Sequence, residues 1–214
     1  MTDGTPRLRD LNKLRTRQGI SDVATRLFLE RGYDRVTIAE IAAAAGVAKQ
    51  TVTNHFPRKE DLVLDIHEEF VAAPARAVAD RAAGESALTA LRSEFFALLD
   101  ARSPLLGFSG PEFAALLLSG PALRARLREL HDDRERSLAA ALARETGAPG
   151  GDPGPRLAAA HLLTPHRVLF YDVLHGLSRG EDAETVAARV AEAAGAAFAL
   201  LEPAFAAYAR RPSP

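Results

Sequence analysis

Between residues 49 and 59 the chain reads KQTVTNHFPRK. Lys49, Gln50, Thr51, Thr53, Asn54 and His55 crowd hydrogen-bonding side chains onto one short segment, and Arg58 and Lys59 follow it. The chemistry such a set offers is recognition of duplex nucleic acid. Asn and Gln pair bidentately with adenine, Lys reaches guanine, and a Thr methyl meets the methyl of thymine. His55, Arg58 and Lys59 suit phosphate oxygens, which fix register without reading sequence. Val52 and Phe56 are four apart and would form the core-facing side of the same helix.

The residues just upstream are suited to position that segment. Thr37-Ile38-Ala39-Glu40 has the spacing of a capping box, in which the Thr hydroxyl accepts from a free backbone N–H and the Glu carboxylate reaches back to the Thr N–H. An alanine-rich run from Ile41 to Ala45 continues the helix. Gly46 then supplies the left-handed conformation that closes a helix without a Cβ clash. Val47 would plug the corner, and Pro57 stops the second helix. Lys59, Glu60 and Asp61 are expected to open a further helix, whose first turn offers free N–H groups to a phosphate. A helix, a tight turn and a second short helix are the layout of a helix-turn-helix.

The segment from about Arg15 to Leu64 resembles the N-terminal DNA-binding domain of TetR-family transcriptional regulators. The matching features are Leu27-Phe28-Leu29-Glu30-Arg31-Gly32-Tyr33, Val36-Thr37-Ile38, Ile41-Ala42, Ala45-Gly46-Val47, Thr51, and His55-Phe56-Pro57 followed by Lys59-Glu60-Asp61-Leu62. The resemblance covers roughly a quarter of the chain. With the residue chemistry above, it makes Thr37, Lys49, Gln50, Thr51, Thr53, Asn54, His55 and Lys59 the candidate DNA contacts. Two positions depart from the family pattern: Ala48 stands where a Ser cap is usual, and Thr53 where a Tyr is usual.

Composition is that of a soluble globular protein: 214 residues, 47% hydrophobic, with no Cys, which excludes disulfides and cysteine metal sites. Charged residues interrupt every apolar run, so no membrane span is expected. The first ten residues, MTDGTPRLRD, lack the apolar core of a signal peptide, and a cytoplasmic location is expected. Net charge is −1, but residues 1–59 hold 11 Lys/Arg against 6 Asp/Glu, and the remainder holds 16 against 22. A basic head on an acidic body fits a localised DNA-binding face.

Beyond Leu62 the periodicity is helical throughout. Helices are predicted over about 59–80, 85–101, 111–118, 121–145, 156–178 and 182–208. The Gly/Pro-rich stretch 146–155 reads as a loop, and Pro165 and Pro203 are expected to kink or cut the last two helices. Residues 7–14 read as a helical start or a basic arm, and RRPSP at the end as a loose tail. The last two helices are apolar over a wide arc. One side would pack on the chain's own core and the other on a second copy, with Phe198 and Leu201 as first choices for the interface. The resemblance implies a ligand pocket among the middle helices. Its candidate lining is Phe95, Phe96, Phe113, Arg128, His131, His166 and Phe170.

The fold expected is all-α: an N-terminal three-helix helix-turn-helix domain over residues 1–58, then a helical ligand-binding and dimerisation domain over 59–214. The function expected is a ligand-responsive, sequence-specific transcriptional regulator. It would be a repressor released from a palindromic operator by a small, largely apolar effector, acting as a homodimer through the last two long helices. No cofactor and no metal are called for. Two other classes fit parts of the sequence. A helical interaction module without DNA binding is one, motivated by Ala48 and Thr53. An enzyme is the other, for which Asp172-x-x-His175 offers a carboxylate and an imidazole on one helix face. No Glu-x-x-His pair, phosphate-binding Gly-rich loop or nucleophile elbow accompanies it.

Overall fold

The structure, a computed structural model, describes residues 8–212. Among these residues the regular structure is entirely helical: α1 (Leu8–Arg31), α2 (Ile38–Ala44), α3 (Lys49–His55), α4 (His67–Asp80), α5 (Ala87–Asp100), α6 (Pro111–Ser119), α7 (Pro121–Thr146), α8 (Gly154–Ser178) and α9 (Ala183–Phe205). Single 3-10 turns lie at Tyr33–Arg35, Glu60–Leu62 and Pro104–Leu106.

The head is α1, α2 and α3. Ile20, Ala24, Leu27 and Phe28 of α1 recur at helical spacing and are buried against Ile41, Ala42, Val52 and Phe56. The body is α4 to α9. In it α4 packs along α7, α7 along α8, and α8 along α9, while α5 packs on α9 and α6 on α8. Local signals set most boundaries. Ser86 caps α5 by accepting from Thr89 N, and Asp182 caps α9 by accepting from Glu184 N and Thr185 N. Gly147 ends α7 in the left-handed conformation. Gly176 permits close approach of α8 to α9, since a Cβ there would lie 2.8 Å from Val186 Cγ2.

Three expectations need correction. The helix expected from Lys59 begins at His67, after the 3-10 turn at Glu60–Leu62. Asp61, Leu62, Val63 and Leu64 are all buried, and four consecutive residues of an α-helix cannot share one face. The chain turns tightly here so that head and body can both claim side chains. Next, of the two outcomes expected at the prolines, the cut does not occur: α8 runs through Pro165 and α9 through Pro203. Each proline removes one backbone bond, and in α8 flanking turns packed on α7 and α9 hold the helix across the gap. Finally, the expected tail is tied down at its start. Gly84 N donates to Arg211 O and Arg211 N to Glu85 O, both at 2.9 Å, and Arg210 Nε donates to Gly84 O at 2.6 Å. Of the proposed basic arm, Leu8 onward is helical; Arg7, Ser213 and Pro214 lie outside the described residues.

Candidate DNA-binding interface

The turn between α2 and α3 is built by the local chemistry that the sequence predicts. Thr37 Oγ1 accepts from Glu40 N at 3.2 Å, and Glu40 Oε2 accepts from Thr37 N at 2.8 Å. Gly46 sits at φ +68°, and Val47 N donates to Ala42 O at 3.0 Å. Ala48 precedes α3 in extended conformation and supplies no side-chain cap. The helix is instead held by Val52 and Phe56, both fully buried.

With that side anchored, Lys49, Gln50 and Asn54 are exposed, and Thr51, Thr53 and His55 are half-buried at the edges. Gln50 Nε2 donates to Asn54 Oδ1 at 2.8 Å, one turn apart. Each amide keeps its other end free, Gln50 an acceptor and Asn54 a donor, so the pair offers the acceptor and donor that a bidentate base contact requires. Thr53 Oγ1 donates back to Gln50 O at 3.1 Å. Thr37 Oγ1 is committed to its cap and also donates to Glu40 Oε2 at 2.8 Å.

The groups suited to phosphate differ in how free they are. Lys59 Nζ donates to Tyr33 O at 2.6 Å and lies 4.2 Å from the Tyr33 ring centroid. Partial burial lowers its pKa, opposed by Asp34, Glu60 and Glu40. Two of its three N–H donors remain for a phosphate. If it does meet the DNA backbone, Lys59→Ala should reduce the slope of log K against log salt by roughly one unit and weaken binding to all sequences alike. An unchanged slope would assign Lys59 to the Tyr33 contact alone. The pKa of His55 is lowered, first by burial and then by Lys13 and Arg17. Near pH 7 it is therefore a neutral N–H donor.

Arg17 was not singled out by sequence reasoning. Its Nη1 donates to His55 O at 2.7 Å and its Nη2 to Asp65 O at 3.1 Å, while the guanidinium lies 4.4 Å from the Phe56 ring centroid. A cation on the last carbonyls of α3 opposes the negative end of that helix. One turn on, the Ser21 hydroxyl lies within hydrogen-bond distance of Leu62 O at 3.1 Å and Asp65 Oδ2 at 2.8 Å. The signal available in the sequence was a polar pair, Arg17 and Ser21, interrupting the inward face of α1. On the body side, Arg126 Nε of α7 donates to the buried Asp61 at 2.9 Å, and Arg58 pairs with Glu129 of α7. Head and body are thus joined by charge pairs on α7 as well as by the chain.

At the same junction lies a cavity of about 300 Å³. Gln18, Asp65 and His67 rim it, and Phe70, Phe113, Leu117, Leu127, Leu130 and Phe170 form most of its walls. Of the candidate ligand residues, Phe113 and Phe170 line this space. His131 packs behind it, 5.2 Å from the Phe170 ring. Phe95, Phe96 and His166 lie elsewhere, around Phe198, and Arg128 faces solvent. Phe70 and Leu127, absent from that candidate set, are part of the wall.

An exposed polar helix behind a tight turn, joined to an all-helical body with an apolar cavity, defines a helix-turn-helix protein. Residues 20–66, which include α2 and α3, match the family model for bacterial regulatory proteins of the tetR family. Among curated relatives, it is 37% identical to the HTH-type transcriptional regulator TcmR of Streptomyces glaucescens over 102 residues, 46% of this chain and 43% of that protein. It is 47% identical to the regulator AcrR of Shigella flexneri over 53 residues, 25% of each chain. The matched region thus spans less than half the length of either relative. Among solved structures, a TetR-family regulator from Mesorhizobium loti aligns with TM-score 0.54 at 23% identity, covering 91% of this chain and 98% of that one. SmeT in its triclosan complex aligns with TM-score 0.55 at 22% identity, covering 94% and 96%. At these identities the structural likeness establishes the fold.

Proposed function

We propose that this chain is a ligand-responsive, sequence-specific transcriptional regulator, a repressor that leaves its operator when a small, largely apolar effector binds. The observation that carries the reading is α3: anchored by Val52 and Phe56, it presents Lys49, Gln50 and Asn54 together on its exposed side. Its partner is double-stranded DNA, and its place is the cytoplasm, where that DNA lies. No helix of the described residues is long and apolar enough to cross a membrane. The functional division runs near residue 58, with DNA reading before it and ligand binding and dimerisation after it.

The cavity supports the ligand arm. Gln18 of α1, residues 63–67 and Phe70 of α4 border it, so an occupant touches the segment that fixes the head to the body. It shifts the equilibrium only by binding the DNA-competent and DNA-incompetent arrangements unequally. SmeT, of similar fold, is solved with triclosan, and NalD of Pseudomonas aeruginosa, also similar, is the secondary repressor of a multidrug efflux pump.

The dimer is proposed through α8 and α9. Of the two residues first expected at the interface, the half-buried Leu201 remains a candidate and Phe198 does not. Phe198 belongs to the protomer's own core. Leu157, Val168 and Leu200 are the large apolar side chains exposed on these helices, beside the small residues Ala188, Gly195, Ala196 and Ala199. Small residues let two helices approach closely, and an isologous pairing would place two α3 helices in successive major grooves of a near-palindrome.

Selection of operators from random DNA tests the base-reading assignment. Gln50→Ala and Asn54→Ala should each relax preference at particular base pairs, by about 1–3 kcal/mol per contact. Wild-type sequence preferences from both variants would rule out α3 as the reader.

A further inference from the structure

Inside the body, Glu94 of α5, His131 and Arg134 of α7 and His166 of α8 meet in an otherwise apolar interior. Arg134 is 1% exposed, and its Nε, Nη1 and Nη2 have no hydrogen-bond partner. His131 Nε2, both ring nitrogens of His166, and Glu94 Oε2 are unpartnered too. His166 Nε2 and Glu94 Oε2 are 3.7 Å apart, beyond hydrogen-bond range. Among the described residues Arg134 has no ion pair within 4.0 Å. Its guanidinium rests 4.7 Å from the Phe70 ring centroid.

Buried polar groups are costly unless paired, and a guanidinium with five unmet N–H donors is an extreme case. Burial lowers the Arg134 pKa to about 10, which leaves it cationic at neutral pH, with Glu94 acting on it through space. His131, pushed down to about 3 mainly by burial, is neutral. The rings that carry these two side chains also border the cavity. Phe70 contacts Arg134 and lies 5.1 Å from His131, and both Phe70 and Phe170 line the cavity wall. On the outer side, His131, Arg134, Glu135, Thr164 and Arg167 are the polar residues lining a crevice of about 10 Å³, room for about one water. The Arg134 guanidinium is therefore one aromatic ring away from the apolar cavity.

We propose that Arg134 anchors the carboxylate of an acidic effector whose apolar body fills the cavity. This deepens the effector reading above and rests on it. The planar guanidinium fork matches a carboxylate with two parallel N–H donors, which a lysine would not. His131 adds a neutral donor from Nε2. Displacement of the Phe70 ring joins the cavity to the guanidinium.

Calorimetry on the full chain with matched probes tests this: 2-naphthoate against 2-naphthylmethanol, and decanoate against decan-1-ol. Each acid should bind wild type at least tenfold more tightly than its alcohol. Arg134→Met should erase that preference while leaving alcohol affinity within twofold. Arg134→Lys, which keeps the charge and loses the fork, should retain only part of it. Without ligand, Arg134→Met should melt at or above the wild-type temperature, because an unpaired buried charge is gone. Equal binding of acids and alcohols would overturn the acid assignment and leave the effector cavity standing. Binding of none of the four would overturn both. An acid preference that survives in Arg134→Met, or a melt below wild type or failure to fold in that variant, would assign the guanidinium to the fold itself and overturn the proposal.

Discussion

Phe198→Ala is expected to cost about 3–5 kcal/mol of stability, the range for removing a large aromatic from a core. Phe198 is fully buried, and its ring meets Phe95 at 5.6 Å and His166 at 5.8 Å, both edge-on, with Phe96 at 6.3 Å. These partners come from α5 and α8, so the ring is the point where α9 is locked to two other helices. The check is the urea midpoint at fixed protein concentration, since a dimer's apparent stability depends on concentration. A loss under about 1 kcal/mol would contradict the core assignment. Phe198→Glu should abolish folding, because a carboxylate there would be buried among apolar rings.

Leu200→Glu, two residues on, should act in the opposite way: little effect on the fold and a large one on DNA. Leu200 is 83% exposed, the most exposed large apolar residue of the described chain, so the protomer loses almost no packing. In an isologous interface every substitution occurs twice, and two carboxylates would face an apolar surface. The variant should sediment as a folded monomer at micromolar concentration. Linking two heads makes the second half-site contact intramolecular, so its loss should lower full-operator affinity by about 10²–10⁴-fold. Half-site affinity should be unchanged. A variant that remains dimeric and holds the full operator would remove α9 from the interface.

These two neighbours show where sequence reading stops. In α9 apolar residues cover so wide an arc that inner and outer faces are not separable by spacing alone, and the choice of Phe198 for the interface was wrong for that reason. Which part of the arc faces inward is set by where α5 and α8 lie. The same holds at residues 61–64, where a run with helical propensity is broken because two packed units both bury it. Arg134 stands in the run HDDRERS, which reads as a solvated face, yet it is almost wholly buried.

What the sequence determined by itself is everything governed by contacts a few residues apart. The capping box at Thr37 and Glu40, the left-handed turn at Gly46 and the inward pair Val52 and Phe56 involve near neighbours on the chain. Their residue types therefore suffice, and they are also what makes the head recognisable as a helix-turn-helix. The tertiary structure decided what depends on residues far apart. It brings Arg17 to the end of α3, 38 positions away, and Arg126 to Asp61, 65 away. It gathers a cavity from both sides of the junction and gathers Glu94, His131, Arg134 and His166 behind it. Such neighbours are fixed by how helices cross, and no local pattern of residue types encodes the crossing.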